Sequence, residues 1–312
     1  MKAVFLDFAT LGPGDIDAGA LQRVAGAVEL FDDTAPADIP VRVRDAEILI
    51  VNKIAVTAAV IAAAPRLRLV CLAATGTDNV ALAAARARGI GVANIRDYCA
   101  PSVTQHVFAL TLALNQRLQE YTTLLRAGAW QRSSNFCLLD HPFHELSGRT
   151  LGIVGLGSLG HGVARVAQAF GMNVLAARRP YREPSGDGSR PLEDGVQRVP
   201  FPELLARAHV VSLHCPLTEE TRALLDAQAL AQMRRDALLA ALRAGALAGA
   251  GIDVLDQEPP VGGHPLLEAG LANLIVTPHI AWAARESRQR ALEEIARNIE
   301  AYLVGTRHNR VD

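Results

Sequence analysis

The stretch GIVGLGSLGHGVA, Gly152–Ala164, sets Gly155, Gly157 and Gly160 in a G-x-G-x-x-G spacing. Alone the pattern is weak. Here the apolar run Leu151–Val154 precedes it, and a helical pattern with Leu159, Val163, Val166 and Phe170 follows. In that setting two glycines let the backbone turn tightly and approach a pyrophosphate. The third lets helix pack on strand, and the helix N-terminus attracts the phosphates. Leu156, Ser158 and Leu159, interleaved with the glycines, are expected against the same dinucleotide. About 20 residues past such a loop an NAD site usually carries an acid for the ribose 2′-hydroxyl. This chain has Arg178 there, with Arg179 next. Guanidinium groups pair with a 2′-phosphate, which a carboxylate would repel. NADP(H) is therefore favoured, with NAD(H) possible; two surface arginines in an arginine-rich chain are the alternative.

Three further pieces follow apolar runs and so fall near the C-terminal ends of strands, where open α/β sheets bind ligands. GIDVLDQEPP supplies Asp253 and Glu258, TPHIAW supplies His279, and VVSLHCPLT supplies His214 to Thr218. A carboxylate on one ring nitrogen of a histidine favours the imidazolium and leaves the other nitrogen to deliver a proton. Spacing does not by itself pair Glu258 with His279; an ordinary strand-end histidine remains open. Cys71, Cys99, Cys137 and Cys215 show no C-x-x-C spacing. They read as structural thiols of a reducing, cytoplasmic compartment, and no metal site is expected.

These residues need a scaffold of strands. KAVFLDF, VELF, AEILIVN, RLVCLAA and IGVAN are short apolar runs separated by helical patterns such as Asp15–Ala27 and Asn79–Arg88. Such alternation predicts a parallel sheet covered on both faces. A long helix is expected next, opened by a capping box of Ser102 and Gln105, striped by Val103, Val107, Leu110 and Leu114, and stopped at Gly128. The alternation restarts at TLGIVGLGSLG and continues through NVLAARRP, VVSLHCP, GAGIDVL and LIVTP. YREPSGDGSRP, Tyr181–Pro191, reads as a surface loop. A closing helix, Arg285–Val304, puts Leu292, Ile295, Ile299 and Tyr302 on one face before Gly305. The fold class is α/β, with two doubly wound parallel-sheet units, the second inserted into the first.

With 312 residues, half of them hydrophobic, the chain can bury a large core. A formal charge of −1 with both signs scattered gives no footprint for nucleic acid. No apolar run is long enough for a membrane span. Lys2 and Lys53 are the only lysines, which singles out the internal Lys53.

Nearly the whole chain resembles the D-isomer-specific 2-hydroxyacid dehydrogenases, and within them the glycerate dehydrogenase/hydroxypyruvate reductase branch. The resemblance rests on MKAVFLDFATLGPGDID, AATGTDNVALAAARARGI, GAWQRSSNFCLLDHP, GIVGLGSLG, VVSLHCPLTEETR, GIDVLDQEPP and TPHIAWAARE. It implies a Rossmann domain, 99–284, inserted into a flavodoxin-like substrate domain, 1–98 with 285–312. It also implies reduction of a small 2-keto acid, hydroxypyruvate or glyoxylate, with a nicotinamide cofactor. His279 would be the acid/base and Glu258 its partner. Asp253 would lie near the nicotinamide amide, and His214, Cys215, Pro216 and Thr221 would line the cofactor. Backbone N–H groups around Thr75, Gly76 and Thr77 would hold the substrate carboxylate, with Asn52 and Lys53 at the same rim. A homodimer is also implied.

One stretch breaks the pattern. The resemblance implies a buried strand after Met233, ending in an arginine that binds substrate, then glycines and a helix. Instead RRDALLAALRAG, Arg234–Gly245, reads as plain helix and runs straight into GAGIDV. A segment of about fourteen residues is missing, although a parallel crossover needs ~10–12 residues or more. If the helix stands, an interior strand is lost and its neighbours must find other partners. Either the complete polypeptide carries this segment, or the protein is a deletion form. In the second case it would be a catalytically impaired dinucleotide-binding or scaffold protein on the same fold.

Overall fold

The computed structural model describes residues 1–12, 14–177, 194–216, 218, 221, 224 and 235–312. It divides into two compact units, one of Met1–Cys99 with Trp282–Asp312, the other of Ala100–Ala281.

The first unit is a five-stranded parallel sheet of β1 Lys2–Phe5, β2 Ala27–Leu30, β3 Ile48–Val51, β4 Leu69–Leu72 and β5 Gly91–Ala93. Their order is β2-β1-β3-β4-β5, the flavodoxin-like arrangement. Helices α1 Gly19–Ala25, α2 Ile39–Val43, α3 Ala58–Ala63 and α4 Leu82–Ala87 connect the strands. Both faces are covered, so alternate residues feed different cores. Phe5, Ile48, Ile50, Leu69 and Cys71 pack with Leu292, Ile295 and Ile299 of the closing helix, Arg285–Leu303. Val4, Leu49, Val51, Val70 and Leu72 pack on the opposite side with Val43, Ile61 and Ala85.

The second unit also has only parallel pairs among its described strands, but in two separate pieces. β6 Thr150–Val154, β7 Asn173–Ala177, β8 Gln197–Val199 and β9 Val210–Leu213 form one sheet in the order β8-β7-β6-β9. Ala250–Ile252 and Leu274–Val276 form the other. Among the described residues no strand joins the two. Arg235–Arg243 is an α-helix, as its composition predicts, and stops at Gly245, which takes φ +69. Its Leu238, Leu239 and Leu242 bury against Leu274. Along β9, Val211 and Leu213 are exposed.

Two local expectations need correction. The helix α5, Ala100–Asn115, already includes Ser102, so no capping box forms. The Ser102 hydroxyl instead donates to the Ala281 carbonyl at 2.6 Å, a tertiary partner that outcompetes the local one. The long helix is also two helices, because Arg117 adopts φ +55 and a second helix, α6, runs Leu118–Arg126. Gly128, at φ +71, does follow the end of α6. Within α5 the deepest positions are Thr104 and Phe108, while the expected stripe is half-buried.

Candidate active site

The glycine loop is shaped by what cannot fit there. Gly155 leaves β6 at φ +95, and a Cβ on it would stand 2.6 Å from the His214 carbonyl carbon. A Cβ on Gly160 would strike the Gly155 carbonyl oxygen, so helix α7, Ser158–Ala169, could not sit so close to the strand. Around Gly157, the N-cap of α7, nothing lies within 4 Å of such an atom. The result is an open cradle at a helix N-terminus whose first N–H groups lack helical partners. That donor set fits the diphosphate of a dinucleotide. Arg178 and Arg179 lie outside the described residues, as does Tyr181–Pro191.

On the neighbouring strand end, the His214 N–H donates to the Val154 carbonyl at 2.7 Å. The His214 ring Nε2 lies 2.9 Å from the Ser212 hydroxyl, and burial pushes its pKa down to about 4. Burial likewise raises the Cys215 thiol. The Thr221 hydroxyl donates to the Pro216 carbonyl at 2.6 Å and accepts the Thr218 N–H at 2.7 Å. The expected cofactor residues Pro216 and Thr221 thus close one turn.

Glu258 and His279 do meet. His279 Nδ1 lies 2.5 Å from Glu258 Oε2, and the other Glu258 oxygen accepts the Leu255 N–H at 2.7 Å. The imidazole is fixed by one nitrogen, while the ring as a whole keeps 37% of its exposure. Such a pair can hold a proton on Nδ1 and exchange another at Nε2. His279 itself sits at φ +56, a left-handed conformation that costs a residue with a Cβ about 1 kcal/mol or more. The two following amides, Ile280 and Ala281, donate to Oδ1 and Oδ2 of Asp253, both at 2.9 Å.

Two partners escaped the sequence reading. His106, in the middle of α5, places Nε2 3.0 Å from the Thr277 hydroxyl and 3.5 Å from Asp253 Oδ1. The only sequence signal was a histidine on the half-buried face of an apolar helix. Asp7, buried at the end of β1, accepts the N–H groups of Asn52, Lys53 and Ile54 at 2.9, 2.6 and 2.9 Å. It fixes the loop that carries Asn52 and the exposed Lys53. An acid closing the strand KAVFLD was its signal.

In the same unit, the Thr75 hydroxyl donates to the Ile95 carbonyl at 3.0 Å, and the Thr75 carbonyl accepts the Asn94 amide at 2.7 Å. Among the described residues no hydrogen bond uses the N–H groups of Thr75, Gly76 or Thr77. They are donors without a protein acceptor. No group of His, Cys, Asp and Glu that could hold a metal occurs among the described residues.

The model of the D-isomer-specific 2-hydroxyacid dehydrogenase NAD-binding domain matches residues 108–239 and 234–281. Glycerate dehydrogenase of Methylorubrum extorquens is 39% identical over 292 residues, covering 89% of each chain. Hydroxypyruvate reductase of Blautia hydrogenotrophica is 34% identical across the full length of both. A solved structure from Thermus thermophilus superposes with a TM-score of 0.83 at 35% identity, covering both chains completely. The chain belongs to the D-isomer-specific 2-hydroxyacid dehydrogenase family. Within it the similarity falls in the glycerate dehydrogenase and hydroxypyruvate reductase branch, so this is an oxidoreductase with a nicotinamide-binding domain. The family match is also divided at RRDALLAALRAG. The family match restarts at residue 234 after running to 239. The Blautia alignment spans 330 positions against 312 residues, leaving at least 18 positions without a residue here.

Proposed function

We propose that the protein reduces hydroxypyruvate or glyoxylate, to D-glycerate or glycolate, with NADPH as the favoured donor. The observation that carries this is the Glu258–His279 pair at 2.5 Å in a chain of this family. When bound, the nicotinamide supplies the hydride that reaches C2. The cradle at Gly155, Gly157 and Gly160 binds the diphosphate, with Leu156, Ser158 and Leu159 beside it. His214, Cys215, Pro216 and Thr221 form its second wall, where neutral His214 adds no charge. Glu258 holds the Nδ1–H of His279, so that Nε2 gives its proton to the substrate carbonyl oxygen. The free N–H groups of Thr75, Gly76 and Thr77 take the substrate carboxylate, supported by Asn52 and the cation of Lys53.

Hydroxypyruvate-dependent loss of NADPH absorbance tests the reading. His279→Ala is expected to lower kcat by roughly 10²–10⁴-fold, the usual share of a general acid. Equal turnover in parent and variant would remove His279 from the chemistry. The cofactor preference rests on Arg178 and Arg179 as charges for the 2′-phosphate. Arg178→Asp is expected to shift preference toward NADH, each such contact contributing on the order of 1.5–3 kcal/mol. Competition binding that finds both cofactors equal before and after the substitution would contradict this.

Exposed Trp130, Phe136, Leu139 and Phe143 crowd one stretch of the second unit and support a homodimer. The four free cysteines accord with a cytoplasmic setting.

A further inference from the structure

The turn that presents His279 is held from three sides by groups outside the reaction. Its left-handed residue is followed by two N–H groups that converge on one carboxylate, Asp253, each at 2.9 Å. Asp253 Oδ1 also accepts the Thr277 hydroxyl at 2.6 Å. That hydroxyl has a single proton and gives it to Asp253, so toward His106 it can only accept. His106 must therefore carry its hydrogen on Nε2, 3.0 Å from the Thr277 oxygen. The side chains of His106 and Asp253 keep only 16% and 13% of their exposure, so water is a poor substitute for these bonds. One turn earlier on the same face of α5, Ser102 donates to the Ala281 carbonyl at 2.6 Å. Helix α5 thus grips the turn at Thr277 and at Ala281, on either side of His279.

We propose that His106 and Thr277 are positioning residues for His279, acting through Asp253. On this assignment Asp253 serves first as the anchor of the catalytic turn, whatever it also does for the cofactor. Directional bonds hold the imidazole where its Nε2 meets the substrate oxygen, and a displacement of about 1 Å at such a group costs on the order of 10²-fold in rate. The inference rests on the proposed role of His279.

Kinetics and amide exchange together test it. Thr277→Val keeps the volume and removes the hydroxyl, while His106→Leu removes the donor. Each is expected to lower kcat for hydroxypyruvate by about 10–100-fold, leaving KM and the NADPH Kd within about twofold. Thr277→Ser and His106→Gln, which restore the same bonds, are expected to return kcat to within about threefold of the parent. Independently of turnover, hydrogen exchange at Ile280 and Ala281 is expected to quicken by about tenfold or more in Thr277→Val and His106→Leu. Unchanged exchange in these two variants would overturn the proposal. So would a fall in kcat matched by an equal loss of NADPH affinity, which would assign the network to cofactor binding. A parent without turnover would remove the reductase reading, and the exchange data would then decide the network alone.

Discussion

The two units of this molecule both build parallel sheets, but only the first builds a single continuous one among its described strands. In the first unit β3 and β4 are buried at every residue, and each has a partner on both sides. In the second, β9 pairs with β6 on one side, and among the described strands it has no partner on the other. Val211 and Leu213 keep 36% and 45% of their exposure, values foreign to an interior parallel strand. Ala250–Ile252, which among the described strands pairs only with Leu274–Val276, is half-buried with Gly251 exposed. Among the described strands a gap therefore separates β9 from Ala250–Ile252. The described element between them in the chain is the helix Arg235–Arg243, whose leucines bury against Leu274. Local helix propensity wins there because only Ala244–Gly249 separates the helix from the next strand, too few residues for a strand and its crossover.

The largest expected effect comes from closing that gap. Insertion of a strand–Arg–Gly–Gly–helix segment between Leu239 and Ala240 is expected to raise turnover of hydroxypyruvate by about 10²-fold or more. The added arginine would supply orientation and charge stabilisation, each worth several kcal/mol. The melting temperature is expected to rise with it. Equal turnover and equal melting in the two chains would show that the helix completes the site by itself.

A pair of cavity substitutions sharpens the contrast next. Ile50→Ala, at a fully buried position in the intact sheet, is expected to cost about 2–5 kcal/mol in denaturant unfolding. Val211→Ala, on the exposed strand, is expected to cost under about 1 kcal/mol. Similar costs would mean that β9 is as well packed as β3.

Acid gives a smaller and more specific signal from His214, at the end of β9. Its folded pKa is depressed to about 4 by burial, below the ordinary 6.5. Above pH 6.5 both folded and unfolded states hold it neutral, and its burial carries no proton penalty. As pH falls from 6.5 toward 4 the unfolded chain binds the proton first, and stability is lost by up to about 3 kcal/mol. His214→Leu is expected to flatten that part of the stability curve, and an unchanged slope would assign the acid sensitivity elsewhere. The first unit should respond at lower pH. Asp312, held down to about 2 by its hydrogen bonds with Arg310, keeps its full contribution above its ordinary 3.8 and loses it progressively as the pH falls from there through about 2.

Much of this was legible in the residues because the signals were local and periodic. The runs KAVF, ILIV and LVCL are apolar and too short for helices and became strands. Gly155 and Gly160 stand where any side chain would collide. β8, Gln197–Val199, was missed because three residues with two polar side chains form no apolar run. The break at Arg117 and the true partner of Ser102 depend on tertiary contacts that the helical pattern cannot encode. Glu258 and His279 were joined only through the family resemblance, since a separation of 21 positions specifies no geometry. His106 lies still farther from Asp253 in the chain, and no spacing rule reaches it.

The margins of β9 and Ala250–Ile252, unpaired among the described residues, also bear on how the protein behaves in company. Neither VVSL nor AGI contains a charge or a proline. Natural sheets use such residues to keep their borders from recruiting foreign strands. A row of backbone donors and acceptors without that protection is a template for another chain, and the hazard grows with concentration. Solubility of this polypeptide should therefore be limited by its sheet margins rather than by its net charge, and a lysine at Leu213 should improve it more than one at any already polar surface site.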